Sequence, residues 1–133
     1  MKFMLMMNAP RGTTGDWGVS NWSTDDLKAH IGFMVRFNDE LKSEGALVGA
    51  EGLASPGQAR IVRASSKGTP EVTDGPFAEA KEFLAGYWIV AVDSPKRAYE
   101  IAARASAAPG PGGKPLNMPI EVREVMSGPP VDP

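Results

Sequence analysis

The sequence predicts an α+β fold of split βαβ order, an antiparallel sheet with two helices on one face. Three observations predict it. The longest apolar segments, Phe3 to Met7 and Phe83 to Val92, carry apolar residues on both alternating faces, as strands covered on each side do. Two stretches instead follow helical periodicity, each opened by a residue suited to cap a helix. The order of these elements along the chain is β-α-β-β-(β)-α-β.

Phe3 to Met7 is a short central strand, stopped by Asn8 and Pro10. Residues 8–22, NAPRGTTGDWGVSNW, form a long connection rich in glycine and carrying Trp17 and Trp22, a composition suited to a lid or a contact. Ser23, Thr24 or Asp25 then caps a helix running to about Ser43, with acids in its first turn and Gly45 to end it. Its apolar arc consists of Phe33, Phe37, Leu41, Met34, Leu27, Ile31 and Val35, and that arc is expected to face the sheet.

Ala46 to Leu53 follows as a strand weakened by glycine. Ser55-Pro56-Gly57 turns it into Ala59 to Ala64, and a hairpin between these two strands is expected. Lys67-Gly68-Thr69 marks a further turn, Glu71 to Thr73 a short extension, and Asp74-Gly75-Pro76 a sharp change of direction. Phe83 to Val92 is the strongest strand. Ser94-Pro95 opens a second helix to about Ala107, which buries Ala98, Ile101, Ala102 and Ala105. PGPGGKP, residues 109–115, is a loop, Ile120 to Val125 closes the sheet, and SGPPVDP is a tail expected to fray.

This order is ferredoxin-like. Helices on one face leave the other bare, so a second sheet is expected to cover it in an isologous homodimer, a barrel-like α+β assembly. At 133 residues the chain is the size of one domain, taken as residues 1–127 with a flexible tail at 128–133.

Composition narrows the function classes. There is no cysteine, so no disulfide framework, thiolate nucleophile or thiolate metal site is available. The formal charge is −2 with acids and bases interspersed, which suits neither a nucleic-acid backbone nor an anionic membrane. The opening apolar run is only five residues, a strand in place of a signal peptide or membrane span, and the chain is expected to be cytoplasmic. GK[ST] phosphate loops, GxGxxG, GxSxG and paired histidines at metal spacing are all missing. No cofactor and no metal are expected; the expected partners are a small molecule and a second copy of the chain.

Residues 59–82, ARIVRASSKGTPEVTDGPFAEAKE, resemble the signature of the YCII-related family in its DGPF branch, above all the ten residues Thr73 to Glu82. The resemblance continues through Gly86, the strand YWIVAV, the alanine-rich helix and IEVREV. It implies a dimeric ferredoxin-like fold. For function it implies less: members resemble muconolactone isomerase, a few are cofactor-free lyases or dehydrochlorinases acting on small rings, and some are associated with extracytoplasmic-function sigma factors. The family also pairs a histidine of the first helix with an aspartate as a proposed acid/base dyad. Here His30 stands about one turn before the expected position, which Met34 holds.

Asp74 is the first candidate for chemistry, because the Gly75-Pro76 turn would restrain its carboxylate as a base needs. The same carboxylate would equally serve as a cap on that turn, or on a helical segment at residues 76–82. Glu79, Lys81 and Glu82 would then lie within two turns of each other and pair with Asp74 and Arg63, on solvent or around a ligand. His30 is the only histidine, the residue type that takes up and releases a proton near neutral pH. It falls inside the apolar arc and points to the cleft below the helix, either as a hydrogen-bonded core residue or as the partner of Asp74. Arg63 would clamp a carboxylate or enolate with its planar fork, and Arg123 is a weaker candidate for the same work. Trp17 and Trp22 would close over a ring ligand, or pack on the helix or the partner subunit. The expected activity is cofactor-free proton transfer of the isomerase, lyase or dehydratase type on a small anionic or cyclic molecule. The alternative is a non-catalytic ligand-binding or regulatory module.

Overall fold

The computed structural model describes residues 1–11, 19–75 and 80–127. Its elements are β1 (Lys2–Pro10), α1 (Thr24–Ser43), β2 (Leu47–Gly52), β3 (Arg60–Ala64), β4 (Pro70–Asp74), β5 (Glu82–Ala91), α2 (Pro95–Ser106) and β6 (Ile120–Glu124), with three short 3₁₀ turns between them. The four-stranded sheet runs in the order β2-β5-β1-β6, and every pairing is antiparallel. This is the strand order of the ferredoxin-like fold, with β1 and β5 at its centre. The C-terminal tail, residues 128–133, lies outside the described residues.

Both helices start where the sequence places them. The Ser23 hydroxyl accepts from the Asp26 N–H at 3.1 Å, and the Ser94 hydroxyl accepts from Arg97 N–H at 3.3 Å. Gly45, at φ +73°, takes the left-handed conformation that ends α1. The two helices cover one sheet face. There Phe37 and Leu41 of α1 and Ala98, Ile101, Ala102 and Ala105 of α2 join Phe3, Leu5, Met7, Trp88 and Val90 in a single buried core. Arg104 of α2 ties the helices together at the surface, pairing with Glu40 at 2.7 Å while lying 5.1 Å over the Phe37 ring.

On the far side of the sheet, strand alternation places Met4, Met6, Tyr87 and Ile89 together, each half-buried.

Two expectations change. Ile31 and Val35 do not face the sheet: they are 53% and 56% exposed. A helix lying on a sheet buries a stripe narrower than the seven-residue arc, and Phe33, Met34, Phe37 and Leu41 fill it. The hairpin between residues 46–53 and 59–64 does not form either. β2 pairs with β5, while β3 pairs with β4 as a separate two-stranded ribbon, Val62 opposite Val72. Gly86 is what admits β2 to β5: a Cβ there would lie 3.0 Å from the Glu51 carbonyl oxygen. The chain from Leu53 to Ala59 then leads out of the sheet, and the ribbon is left standing exposed along both strands.

Candidate functional site

A cavity of about 570 Å³ opens between α1, the β2–β5 pair and the segment that follows β2. Its size is that of a small-molecule pocket. One wall is a single ridge of α1, in which His30, Met34 and Asn38 follow one another at four-residue spacing. The opposite wall holds Met7, Phe83, Ala85 and Trp88, with Leu53 to Pro56 at the end. A bulge shapes this wall. Met7 lies opposite Gly86 but Asn8 lies opposite Leu84, so Ala85 is an extra residue that re-aims the start of β5 toward the helix.

Two hydrogen bonds fix the polarity of the α1 ridge. His30 Nδ1 lies 2.9 Å from the Pro109 carbonyl oxygen. A carbonyl only accepts, so Nδ1 carries the proton and Nε2 is the basic nitrogen of the neutral ring. The loop that supplies this carbonyl is held in turn: Gly110 N–H donates to Lys114 O at 2.7 Å, and Gly112 N–H donates to Asp26 Oδ2 at 3.2 Å. At the other end of the ridge the Trp88 indole N–H donates to Asn38 Oδ1 at 2.8 Å. An indole nitrogen only donates, so the amide is oriented with its NH₂ group as the remaining polar end.

Among the described residues, His30, Glu51 and Tyr87 are the ionisable ones that line the cavity. Glu51 and Tyr87 oppose one another in the β2–β5 register, beside Ala50 and Trp88, so alternation turns both side chains toward the other face of the sheet. Every lysine and arginine of the chain lies among the described residues, and none lines the cavity.

The other sequence-derived candidates do not assemble here. Asp74 does not meet His30. It lies opposite Arg60 at the open end of the β3–β4 ribbon, with its side chain 96% exposed and Arg60 Nε at 3.6 Å. The ribbon is a sheet of its own, and Asp74 at its end is not among the residues that line the cavity. Arg63 stands exposed opposite Glu71 on the same ribbon. Glu82 opens β5 opposite Pro10, so it is strand and not helix, and exposed Lys81 joins the same ladder through its carbonyl, which accepts from Arg11 N–H at 2.9 Å. Arg123 is exposed on β6, opposite Met4. Trp22 is half-buried and presents its ring to His30 in an edge contact at 5.5 Å, packing on the helix. Trp17 and Glu79 lie outside the described residues.

Sequence reading missed Asn38 and the Pro109 carbonyl. Asn38 was legible in principle as the i+8 member of the ridge that begins at His30. The carbonyl was not, because a backbone acceptor 79 residues away leaves no mark in side-chain pattern.

Among the described residues no helix is long and apolar enough to cross a membrane. A search of curated proteins returns no significant match. The family model of the YCII-related domain matches residues 1–111, well over half of the chain, and its α+β expectation agrees with the sheet and helices described above. The chain therefore belongs to the YCII-related family.

Proposed function

We propose that this protein binds a small cyclic molecule in the cavity beneath α1 and acts on it without a cofactor, by proton transfer through His30. The observation that carries this reading is the fixed ring of His30 on the wall of a cavity of about 570 Å³ that Met7, Met34, Phe83 and Trp88 also line. A base held by a backbone carbonyl needs no rotation before it takes a proton, which is the restraint general base catalysis requires. The reaction class is isomerisation or elimination: a C–H or O–H bond of the ligand breaks, Nε2 takes the proton and the electron pair moves into the ligand; in isomerisation the proton is returned to another atom of the conjugated system, and in elimination the pair expels a leaving group as its anion while the proton passes to water. Asp74 has no part in this within one chain.

The protein acts as a homodimer in this reading. Met4, Met6, Tyr87 and Ile89 supply the apolar face that a second sheet would cover. Sedimentation velocity at micromolar concentration tests it: a dimer is expected for the wild-type chain and a monomer for Met6→Lys. A wild-type monomer would contradict it.

The activity is tested by NMR in D₂O, following loss of acidic protons from a panel of ring ketones and unsaturated lactones. Exchange above buffer is expected for the wild-type chain and not for His30→Gln, with unchanged circular dichroism. If saturable binding occurs without exchange, the catalytic half fails and the protein is a ligand-binding or regulatory module.

A further inference from the structure

We propose that the outer edge of β3 pairs antiparallel with the β3 edge of a second copy of this chain, joining two β3–β4 ribbons into one sheet centred on Val62. The inference goes beyond the cavity reading and rests on none of its residues.

The hydrogen-bond phase of the ribbon decides which backbone groups are left over. In an antiparallel ladder, residues that exchange bonds with the partner strand alternate with residues whose N–H and C=O point away from it. Gly75 N–H donates to Ala59 O at 2.9 Å, and Ser65 N–H donates to Thr69 O at 2.8 Å. These bonds sit at the two ends of a register that runs unbroken from Arg60 opposite Asp74 to Ala64 opposite Pro70. Ile61 and Arg63, in phase with both, therefore turn their backbone groups to β4, while Arg60, Val62 and Ala64 turn theirs to the outer edge. On β4 the outward residues are Pro70, Val72 and Asp74, and Pro70 has no N–H to give. The β3 edge is thus the one with an unbroken row of donors and acceptors, and among the described residues no other strand takes it.

The edge is complementary to itself. Antiparallel pairing about Val62 sets Val62 opposite the partner's Val62 and Arg60 opposite the partner's Ala64, so every outward group of both edges finds a bond. Registers shifted to either side leave some of these groups unpaired, and one centred on Arg63 would also set two guanidinium groups against each other. About Val62 the side chains match. Val72, Val62, the partner's Val62 and the partner's Val72 form one continuous row, on a face where Val62 and Val72 are 61% and 58% exposed in the single chain. On the other face Ile61 meets the partner's Arg63, with no like charges opposed.

The pairing also removes an instability. A two-stranded ribbon exposed at nearly every position is marginal on its own, and the second copy places β3 in the interior of a wider sheet. The contact is two-fold, so it closes on itself and leaves no open edge at β3. It is small beside stable interfaces of about 1,000 Å² or more. Between free chains it is therefore expected at millimolar concentration, in addition to the sheet-face dimer expected at micromolar concentration.

The test uses the full chain, whose lack of cysteine leaves engineered thiols without competitors. Ile61→Cys and Arg63→Cys are mixed in equal amounts and oxidised. In the proposed register the two positions face each other with Cα atoms about 4.5 Å apart, within disulfide range. The mixed disulfide is expected to form at least tenfold faster than the disulfide of either variant alone. It should also outpace, by the same factor, Glu71→Cys mixed with Thr73→Cys, which repeats the spacing on β4. In the wild-type chain, going from micromolar to millimolar concentration should move the amide proton signals of Arg60, Val62 and Ala64 downfield and leave those of Val72 and Asp74 in place. Val62→Pro removes an N–H that β4 does not use, so it should abolish these shifts while the Ile61 and Arg63 amides keep their ladder positions. Should that ladder be lost, Ala64→Pro, at the end of the ribbon, takes its place with the same expectation. Equal trapping in all mixtures, amide signals that ignore concentration, or shifts confined to Val72 and Asp74 would overturn the proposal.

Discussion

Replacing Trp88 by Phe tests the contact on which the orientation of Asn38 depends. Trp88 is buried, meets Phe37 edge-on at 5.8 Å and donates to Asn38 at 2.8 Å. Phe at this position keeps one six-membered ring against Phe37 but removes the indole N–H and the fused ring. The lost ring area, on the order of 40 Å², costs about 1 kcal/mol at ~25 cal/mol per Å². The space left behind costs about a further 1 kcal/mol. The hydrogen bond contributes about 1 kcal/mol net, so Trp88→Phe should destabilise the fold by about 3 kcal/mol. Asn38→Ala strands the indole N–H, at about 2 kcal/mol, but gains about 0.5 kcal/mol of helix propensity, for a net loss of about 1.5 kcal/mol. In the double variant the hydrogen bond is lost only once, and the cycle should close with a coupling energy of about 1 kcal/mol. Urea unfolding followed by far-ultraviolet circular dichroism measures all four corners without relying on the altered tryptophan. Strict additivity of the two losses would refute the hydrogen bond and with it the orientation of the amide.

Three further outcomes follow from the packing. Leu41→Ala, at a fully buried position on the core face of α1, should lower the unfolding free energy by about 3 to 4 kcal/mol in urea melts. Gly86→Ala would gain backbone entropy in an open strand, but here the new methyl meets the Glu51 carbonyl at 3.0 Å; it should cost about 1 to 3 kcal/mol and speed amide hydrogen exchange in β2. Asp74→Asn should leave the thermal unfolding midpoint where it is, because an ion pair at 3.6 Å on so exposed a carboxylate contributes little. A drop of several degrees would show that Asp74 holds the turn.

Much of the fold could be read from side-chain pattern, since that pattern is what the sheet and helices obey. The two-faced apolar strands became β1 and β5 at the centre of the sheet, and Ser23 and Ser94 cap the helices as their positions implied. Partner choice among strands was harder. Residues 59–64 pair forward with β4 and not backward with β2, and alternation within a strand does not say which neighbour it pairs with. The site was legible only in part for a related reason. His30 was marked by its chemistry and its place in the apolar arc. Asp74 was marked by a turn motif, and a turn motif specifies local backbone, not what the turn faces. The ribbon it terminates is a sheet of its own, and no local pattern encodes which side chains meet around the cavity. Asn38 looked like an ordinary polar helix residue until Trp88 was placed against it across the core.

The account turns on one proton. The chain has a single histidine, so its ring nitrogen signals need no assignment by mutation. A ¹⁵N–¹H spectrum of the imidazole, taken under conditions where the ring is neutral, is expected to show the proton on Nδ1, donated to the Pro109 carbonyl, with Nε2 bare of hydrogen. A proton found on Nε2, or shared between the two nitrogens as in a freely rotating ring, would contradict the account at its base.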